Sequence, residues 1–146
     1  MLEVVLPLLP ADKPRYLMGV GAPEDLVNGV LRGVDMFDCV LPTRFGRNGA
    51  ALVRGGRMNL RNAQYANDPR PVEASCACYA CQHFSRAYLR HLTQANEILG
   101  HHLISLHNVF FLVNLVQRMR QAILDRSFAD LAADFLAAYP EPVEGA

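Results

Sequence analysis

The sequence lacks a net charge, because its 14 Lys and Arg residues balance its 14 Asp and Glu residues. No whole-molecule field therefore draws the protein to nucleic acid or to a membrane, and any such attraction must be local. A long apolar run is also missing: the opening segment 4–10 is short and interrupted by proline, so we expect no transmembrane helix. That segment has no basic start and no small-residue cleavage site, which argues against a secretory signal and favours a cytoplasmic protein.

Internal repeats and low-complexity tracts are absent as well. The length of 146 residues suits one ordinary domain or a piece of a larger one. Hydrophobic residues make up 51% of the chain and charged residues 19%. This composition can form a sizeable core and excludes disorder for most of the chain.

A strand, a helix and a second strand are predicted in the first third of the chain. Segment 16–20 is apolar and predicts a short buried strand. Pro23, followed by two acids, is suited to the first turn of a helix, and Gly33 is suited to its end. The apolar segment 34–41 predicts the second strand, which ends at Pro42. This order predicts a parallel βαβ unit and an α/β fold.

Arginine is concentrated in segment 42–71, which holds six arginines against a single acid. One interpretation is a solvated loop region, and the other is a surface that contacts phosphates through planar, bidentate guanidinium groups. Three helices are predicted farther along: one over 84–99 that Gly100 closes, one that Asn108 caps, and an amphipathic one over 128–136. The second of these is expected to bury Leu112, Val113, Val116, Met119 and Ile123. The tail at 140–146 is expected to fray.

Three cysteines within six residues form the clearest chemical signal. Cys76, Cys78 and Cys81 are followed in a separate segment by His107, and three thiolates with one histidine are typical ligands of Zn²⁺. Four protein ligands leave no position open for water, so the ion is predicted to be structural. A disulfide is the alternative, and other histidines could supply the fourth ligand: His83, His91, His101 and His102. Cys39 is predicted to be a small buried residue.

Two acids, Asp35 and Asp38, interrupt the second predicted strand on opposite faces. A carboxylate inside a parallel strand is costly unless it is hydrogen-bonded or used in chemistry. A structural acid is therefore one interpretation of Asp38. A catalytic carboxylate is the other, because α/β sites gather at the C-terminal ends of strands, where Asp38 would meet a loop over 43–47.

Several long motifs resemble those of the tRNA-guanine transglycosylases, a family also called the queuine tRNA-ribosyltransferases. The similar stretches are 12–21 (DKPRYLMGVG), 35–44 (DMFDCVLPTR), 47–49 (RNG), the cysteine cluster, 85–88 (SRAY) and 107–108 (HN). They occur in the family's order, extend over nearly all of 8–139, and are most similar to the bacterial branch.

The resemblance implies a (β/α)₈ barrel with an inserted zinc-binding subdomain, of which this chain would hold the last two strands and helices. Segment 1–50 would be the last βαβ unit with the nucleophile strand, 51–107 the arginine-rich segment and zinc-binding subdomain, and 108–146 the C-terminal helices and tail. The family exchanges guanine at the anticodon wobble position of tRNA for a 7-deazaguanine precursor of queuosine. A complete barrel takes about 250 residues, so the isolated chain is expected to be inactive.

Residue roles follow from the same resemblance. Asp38 matches the family's nucleophile, which forms a covalent aspartyl–ribose intermediate, and Met18 and Gly19 match residues that contact the base. The implied zinc ligands are Cys76, Cys78, Cys81 and His107. The implied tRNA contacts are Gly19, Val20, Gly21, Ala22, Pro23, Glu24, Asp25, Thr43, Arg44, Phe45, Gly46 and Arg47. The implied aromatic dimer contact consists of Phe84, Tyr88 and His91.

The family's general base and its purine-recognising acids and amides have no counterpart in this sequence. The expected partners are a tRNA with a wobble guanine, a 7-deazaguanine base, and either a second copy of the chain or a complementing N-terminal half. No membrane partner is expected, and the one expected cofactor is a structural zinc ion. The alternative function is a non-catalytic, zinc-stabilised module that binds tRNA or dimerises.

Overall fold

The computed structural model describes residues 1–139, and the tail at 140–146, which we expected to fray, lies outside the described residues. The fold is α/β. Its helices are α1 (Leu2–Val5), α2 (Pro23–Leu31), α3 (Leu41–Arg47), α4 (Tyr79–His83), α5 (Arg86–Gln94), α6 (Ile98–Leu124) and α7 (Phe128–Ala138). Its strands are β1 (Tyr16–Leu17), β2 (Met36–Phe37), β3 (Ala50–Val53) and β4 (Gly56–Asn59). Single 3₁₀ turns occupy Leu6–Leu8 and Ala63–Tyr65.

The chain divides into two compact units. The first combines Met1–Val40 with the described residues 115–139, and the second is Leu41–Asn114. The strands of the described part form two separate two-stranded sheets, one in each unit. These strands alone do not form a closed barrel. The (β/α)₈ barrel that the resemblance implies is therefore a proposal.

In the first unit, β1 and β2 pair in parallel, with Tyr16 opposite Met36 and Leu17 opposite Phe37, and α2 lies between them in the chain. The predicted βαβ order and direction are confirmed. The predicted strand lengths are wrong, because each strand has only two residues. The prediction that segment 16–20 is buried is also wrong, since Tyr16 is 52% exposed. With one neighbour each, these strands have open edges and faces, and pairing stops where the chain turns at Gly19.

Helix α2 has the ends that the sequence predicts. Pro23 occupies its first turn, and Gly33 follows its end with a φ of 91°, a left-handed conformation that suits glycine. The amide of Val34 then donates to the carbonyl of Gly29, which satisfies a carbonyl in the last turn. Helix α2 packs against α7, and Leu26, Val27, Val34, Leu115, Met119 and Ala132 are buried in this unit.

The loop predicted over 42–71 in the second unit is partly wrong. Helix α3 replaces the expected loop at 43–47, and a β-hairpin follows in which β3 pairs antiparallel with β4 through a turn at Arg54 and Gly55. Ala50, Ala51 and Leu52 of β3 are buried and Val53 is partly buried, because the strand packs against α3 and its Ala51 joins the core of the unit. The high arginine content of this segment therefore favoured a loop prediction where the structure has a helix and a β-hairpin.

Helix α6 contradicts two predicted helix ends. Gly100 lies inside α6, where a Cβ atom would come within 2.8 Å of the Leu92 Cβ, so this glycine permits a close approach of α5. The chain turns earlier, at Asn96, which has a φ of 54°. Asn108 is no N-cap, because it lies in the middle of α6 and is fully buried.

The predicted buried face of this helix is also partly wrong. Leu112 and Met119 are buried, but Leu115 and Ala122 accompany them, whereas three residues expected inside are exposed: Val113, Val116 and Ile123. The reason is that His107 and Asn108 set the buried face of α6. Residues at helical spacing from this pair are buried, so the buried face is shifted by one position from the predicted face.

Asn108 joins α6 to the edge of β3 that faces away from β4. Its Oδ1 accepts a hydrogen bond from the Leu52 amide at 2.8 Å, and its Nδ2 donates to the carbonyls of Pro42 at 3.0 Å and Ala50 at 2.9 Å. Buried backbone groups on a strand edge need partners. One side chain therefore satisfies two groups on the edge of β3 and the Pro42 carbonyl in α3.

Helix α6 is long and apolar enough by length and composition to cross a membrane, with a mean hydropathy of 1.3 over an 18-residue stretch. Core helices of soluble proteins share these properties, and 39% of this stretch is buried in the structure. Its central His107 and Asn108 are buried and hydrogen-bonded to β3. These contacts identify α6 as a core helix.

We expect Asn108→Ala to lower the free energy of unfolding by about 3 kcal/mol, because three buried backbone groups lose their partner. Urea denaturation of the 146-residue chain at fixed metal concentration measures this change. Asn114→Ala is the matched control, since Asn114 is exposed on the same helix. Equal stabilities of the two variants would contradict this role of Asn108.

Candidate functional site

A compact group of metal-binding side chains lies in the second unit. Cys76, Cys78, Cys81 and His107 are all buried, and their ligand atoms lie within 4.8 Å of one another. The His107 Nδ1 is 3.7 Å from the Cys76 Sγ and 3.4 Å from the Sγ atoms of Cys78 and Cys81. The structure thus brings together the four residues that the sequence singles out.

Local structure explains how three cysteines converge. Cys76 and Cys78 lie in the loop before α4, and Cys81 lies in α4 itself. The Cys78 Sγ accepts a hydrogen bond from the Cys81 amide at the start of this short helix. Gln82 fixes the loop, because its Nε2 donates to the Cys76 carbonyl at 2.9 Å.

The orientation of His107 is set by β3. Its Nε2 lies 2.8 Å from the Leu52 carbonyl oxygen, which can only accept a hydrogen bond, so Nε2 carries the proton. Nδ1 then presents its lone pair to the three sulfurs. Such a hydrogen bond on the far nitrogen is the usual way in which proteins orient a histidine ligand.

The distances fit a tetrahedral ion. Bonds of about 2.3 Å to sulfur and about 2.0 Å to nitrogen at tetrahedral angles place sulfur and nitrogen about 3.5 Å apart. The observed separations of 3.4 to 3.7 Å agree with this value. The four side chains therefore form a candidate metal centre with four protein ligands.

The three thiols lie close together in a buried site, and this arrangement favours binding of a cation. Burial raises the pKa of Cys76 and that of Cys81 above the usual range. Burial acts in the same direction on Cys78, but hydrogen bonds with His107 and the Cys81 amide lower the pKa of Cys78 to about 7. Three thiolates in one buried site repel one another, and a divalent cation would neutralise most of that charge.

The carboxylate of Asp38 occupies a separate site in the first unit, just after β2. The Tyr16 hydroxyl donates to its Oδ1 at 2.6 Å, and the Gly19 amide donates to the same oxygen at 2.9 Å. Gly19 has a φ of 76°, a conformation natural to glycine, at the turn after β1. Within residues 1–139, no hydrogen bond reaches Oδ2.

These two bonds control the ionisation of Asp38. The hydrogen bond from Tyr16, and then that from the Gly19 amide, lower the pKa of Asp38 below its ordinary value. The same contact raises the pKa of Tyr16, because losing the phenolic proton beside a carboxylate is unfavourable. Asp38 is therefore ionised at neutral pH, with one oxygen held by the protein.

The surroundings of Asp38 are apolar and open. Asp38 itself is exposed, as are three large hydrophobic residues near the ends of the two strands: Met18, Met36 and Val40. Phe37 and Cys39 are half-buried, whereas Asp35, predicted to share their face, is exposed, and Cys39 is less buried than expected. The Asp35 Oδ2 accepts a hydrogen bond from the Arg15 amide at 2.8 Å.

The two segments expected to contact tRNA lie in different units. Segment 19–25 leads into α2 in the first unit, with Gly21 and Pro23 buried and Asp25 exposed. Segment 43–47 lies in α3 of the second unit. On α3, Arg44 and Arg47 are exposed.

Gly46 is the buried member of α3. A Cβ atom at this position would come within 2.7 Å of the Ser105 amide nitrogen. Glycine is therefore required for the close contact between α3 and α6, whatever else this position does.

The expected dimer contact contains a stacked pair. The rings of Phe84 and Tyr88 lie 5.4 Å apart at an interplanar angle of 16°, and His91 is exposed one turn farther along α5. Sequence reasoning missed two further members: Tyr79 lies 4.5 Å from the ring of His83 and 5.8 Å from that of Phe84.

Two positioning groups were also missed from the sequence. Tyr16 lies in a motif used for the resemblance, and its place on the strand next to Asp38 was the available signal. The Leu52 carbonyl had no signal, because any residue supplies a carbonyl. Only the fold shows that this oxygen meets His107.

Comparisons with known proteins show which family the chain is similar to. The sequence model of the queuine tRNA-ribosyltransferase family matches residues 1–141. Queuine tRNA-ribosyltransferases from Streptococcus equi subsp. equi (strain 4047) and subsp. zooepidemicus (strain H70) are each 55% identical to this chain over 139 residues. The protein of that name from Streptococcus pyogenes serotype M5 (strain Manfredo) is 54% identical. Each alignment covers 95% of this chain and 37% of the relative.

We expect Tyr16→Phe to raise the pKa of Asp38 toward its ordinary value, because the larger of the two hydrogen-bond effects is removed. Carbon-13 NMR titration of the Asp38 carboxyl measures the shift, with Tyr79→Phe as control. The bond stabilises the folded chain above the unfolded-state pKa of Asp38, and this contribution disappears as the pH falls through the lower folded-state pKa. An unchanged titration in Tyr16→Phe would contradict the assignment.

Proposed function

The chain belongs to the queuine tRNA-ribosyltransferase family, and on that premise we propose that it carries the nucleophile and the zinc-binding part of a tRNA-guanine transglycosylase. The observation that supports this most directly is the Asp38 carboxylate, held at Oδ1 by Tyr16 and Gly19 while Oδ2 stays open. The parallel pair β1 and β2 would belong to the last part of a (β/α)₈ barrel. The chain spans 37% of the length of the curated relatives it matches.

In the first step, the Asp38 Oδ2 attacks the anomeric carbon of the wobble nucleotide's ribose. A bond forms between this oxygen and the carbon, the carbon–nitrogen bond to guanine breaks, and guanine leaves with the bonding electrons and takes up a proton. The lowered pKa of Asp38 keeps the nucleophile ionised at neutral pH, so no base is needed to activate it. The product is an aspartyl–ribose ester.

In the second step, a ring nitrogen of a 7-deazaguanine base loses its proton and attacks the same carbon. The ester bond breaks, and the Asp38 carboxylate is regenerated. Two displacements at one carbon retain its configuration, as in retaining glycosidases. Tyr16 and Gly19 would keep Asp38 in place during both steps, and the exposed Met18 side chain would pack against the base.

The cysteine and histidine cluster would hold one structural Zn²⁺ through Cys76, Cys78, Cys81 and His107. The ion would join α6 to the loop before α4 and so stabilise the core of the second unit. A structural zinc ion with four protein ligands needs no further ligand. Its effect on the reaction would be indirect, through the stability of the α3 region.

Exposed Arg44 and Arg47 support binding of the tRNA anticodon loop by α3, and segment 19–25 would contribute from the first unit. Phosphate contacts would position the RNA, while the extruded base would be read at the Asp38 site. The exposed Tyr88 and His91, with the partly buried Phe84, would form a homodimer contact. The cytoplasm, where tRNA is modified, is the proposed location.

Catalysis would also require groups from outside the matched segment. The family's general base and purine-recognising residues have no counterpart in this sequence. We therefore infer that exchange activity requires the complementing N-terminal part, supplied by a longer chain or by a second polypeptide.

We expect the zinc-loaded chain alone to incorporate no labelled guanine into tRNA, and the chain mixed with the N-terminal part of a relative to incorporate it. Asp38→Asn should reduce the rate of the mixture by at least about a thousandfold, because the nucleophile is lost. Filter-bound radioactivity in tRNA measures the exchange. Asp35→Asn, which alters a neighbouring exposed acid, should retain activity.

Two outcomes of that assay would overturn the proposal. Equal activity of Asp38→Asn and the unaltered chain would exclude Asp38 as the nucleophile. No exchange in any mixture, together with intact tRNA binding, would favour the non-catalytic zinc module. The self-contained metal site in the second unit would fit that alternative.

Metal analysis tests the zinc proposal separately. We expect one zinc ion per chain, lost together with thermal stability in Cys81→Ser, because a buried ligand is removed. Cys39→Ser is the matched control and should keep its zinc, since Cys39 lies outside the cluster. Full zinc content and an unchanged melting temperature in Cys81→Ser would refute the assignment.

A further inference from the structure

The zero net charge of the chain conceals a strong asymmetry between its units. The second unit, 41–114, contains eight arginines and three acids, which gives a net charge of +5. The remaining residues contain six basic side chains and eleven acids, which gives −5. Any local electrostatic attraction of nucleic acid is therefore expected at the second unit, where the positive charge is concentrated.

The acids of the second unit do not neutralise all of its arginines. Asp68 is buried and binds Arg70 at 2.7 Å and Arg86 at 3.1 Å, so both cations are used within the fold. These contacts lower the pKa of Asp68 well below its usual range. Glu73 accepts a hydrogen bond from the Arg54 backbone amide at 2.9 Å.

Five exposed arginines have no carboxylate within 4.0 Å among the residues that the structure describes: Arg44, Arg47, Arg54, Arg57 and Arg61. Segment 41–67 contains no acid at all. The sixth arginine of the arginine-rich segment, Arg70, is distinct because Asp68 neutralises it. Arg70 is therefore bound within the fold, whereas the other five arginines are free of carboxylate partners among the described residues and can bind a ligand.

Packing ties the hairpin arginines to α3. The Arg57 guanidinium lies 5.0 Å from the centroid of the Phe45 ring, so the hairpin strand β4 contacts the helix that carries Arg44 and Arg47. The Arg61 Nε donates to the carbonyl of Asn48, the residue after α3, at 3.3 Å. These two contacts place Arg57 and Arg61 beside α3, with Arg54 at the hairpin turn.

We propose that Arg54, Arg57 and Arg61 extend the α3 surface into a binding site for the phosphate backbone of RNA, beyond the anticodon-loop contacts of Arg44 and Arg47. This proposal rests on the proposed function for its choice of RNA as the partner. Guanidinium groups bind phosphate oxygens bidentately, and the contacts to Phe45 and Asn48 preorganise two of the three side chains. Positioning on phosphates needs no particular base sequence.

The test compares two triple variants of the zinc-loaded 146-residue chain that carry the same net charge. Arg54→Gln/Arg57→Gln/Arg61→Gln alters the proposed surface, whereas Arg118→Gln/Arg120→Gln/Arg126→Gln removes three exposed arginines from the first unit. Fluorescence anisotropy measures binding of labelled tRNA from 50 to 200 mM salt. Zinc content and circular dichroism verify folding.

Loss of three phosphate contacts should lower the slope of log K against log salt by about 2 to 3 in magnitude. The loss of affinity between 50 and 200 mM salt should correspondingly shrink by about 20- to 40-fold. The first-unit control should retain the slope of the unaltered chain. If the triple variant does not fold, Arg54→Gln alone should lower the slope by about 0.7 to 0.9 in magnitude.

Equal slopes for the two triple variants would overturn the proposal, as would an unchanged slope in Arg54→Gln if that variant is the one measured. Binding to phosphatidylserine vesicles as tight as to tRNA would overturn the choice of RNA. A tRNA without a wobble guanine separates the two proposals, because the phosphate surface should bind it with the same arginine dependence. Failure of guanine exchange in the mixture with the N-terminal part, with that arginine dependence intact, would refute the proposed function alone.

Discussion

The second unit depends on the contact between two adjacent side chains of α6 and the free edge of β3. His107 donates to the Leu52 carbonyl, and Asn108 binds the Leu52 amide and two further carbonyls. A strand edge buried without partners would be costly. Because the same contact fixes the protonated nitrogen of His107, it also aims Nδ1 at the three cysteines, so that fold and metal site depend on one interaction.

In the first unit, the Asp38 site likewise depends on a small number of hydrogen bonds. The turn at Gly19 and the Tyr16 hydroxyl both bind the Oδ1 atom, which lowers the pKa and leaves Oδ2 open. The hydrogen bonds stabilise the ionised form without burying it, so the carboxylate stays exposed to solvent. The candidate metal centre, in contrast, is buried, which is consistent with the proposed structural ion.

Sequence patterns predicted the parts that local chemistry decides. The ends of α2 follow from proline and glycine, and the cysteine spacing identified a metal cluster. Prediction failed where long-range packing decides. Gly100 and Asn108 have strong local preferences for helix ends, yet both lie within α6, since one permits contact with α5 and the other satisfies β3. The hairpin went unrecognised because its apolar run is only four residues long and lies within an arginine-rich segment.

The sequence alone indicated the family and predicted the candidate nucleophile and the four candidate metal ligands, because each rests on residue identity and spacing. The tertiary structure alone decided which oxygen of Asp38 is held, which nitrogen of His107 faces the sulfurs, and which arginines remain unpaired. Those properties depend on partners distant in the chain, such as Leu52 for His107 and Asp68 for Arg86. Spacing along a chain cannot report such contacts, since they form only when separate elements pack together.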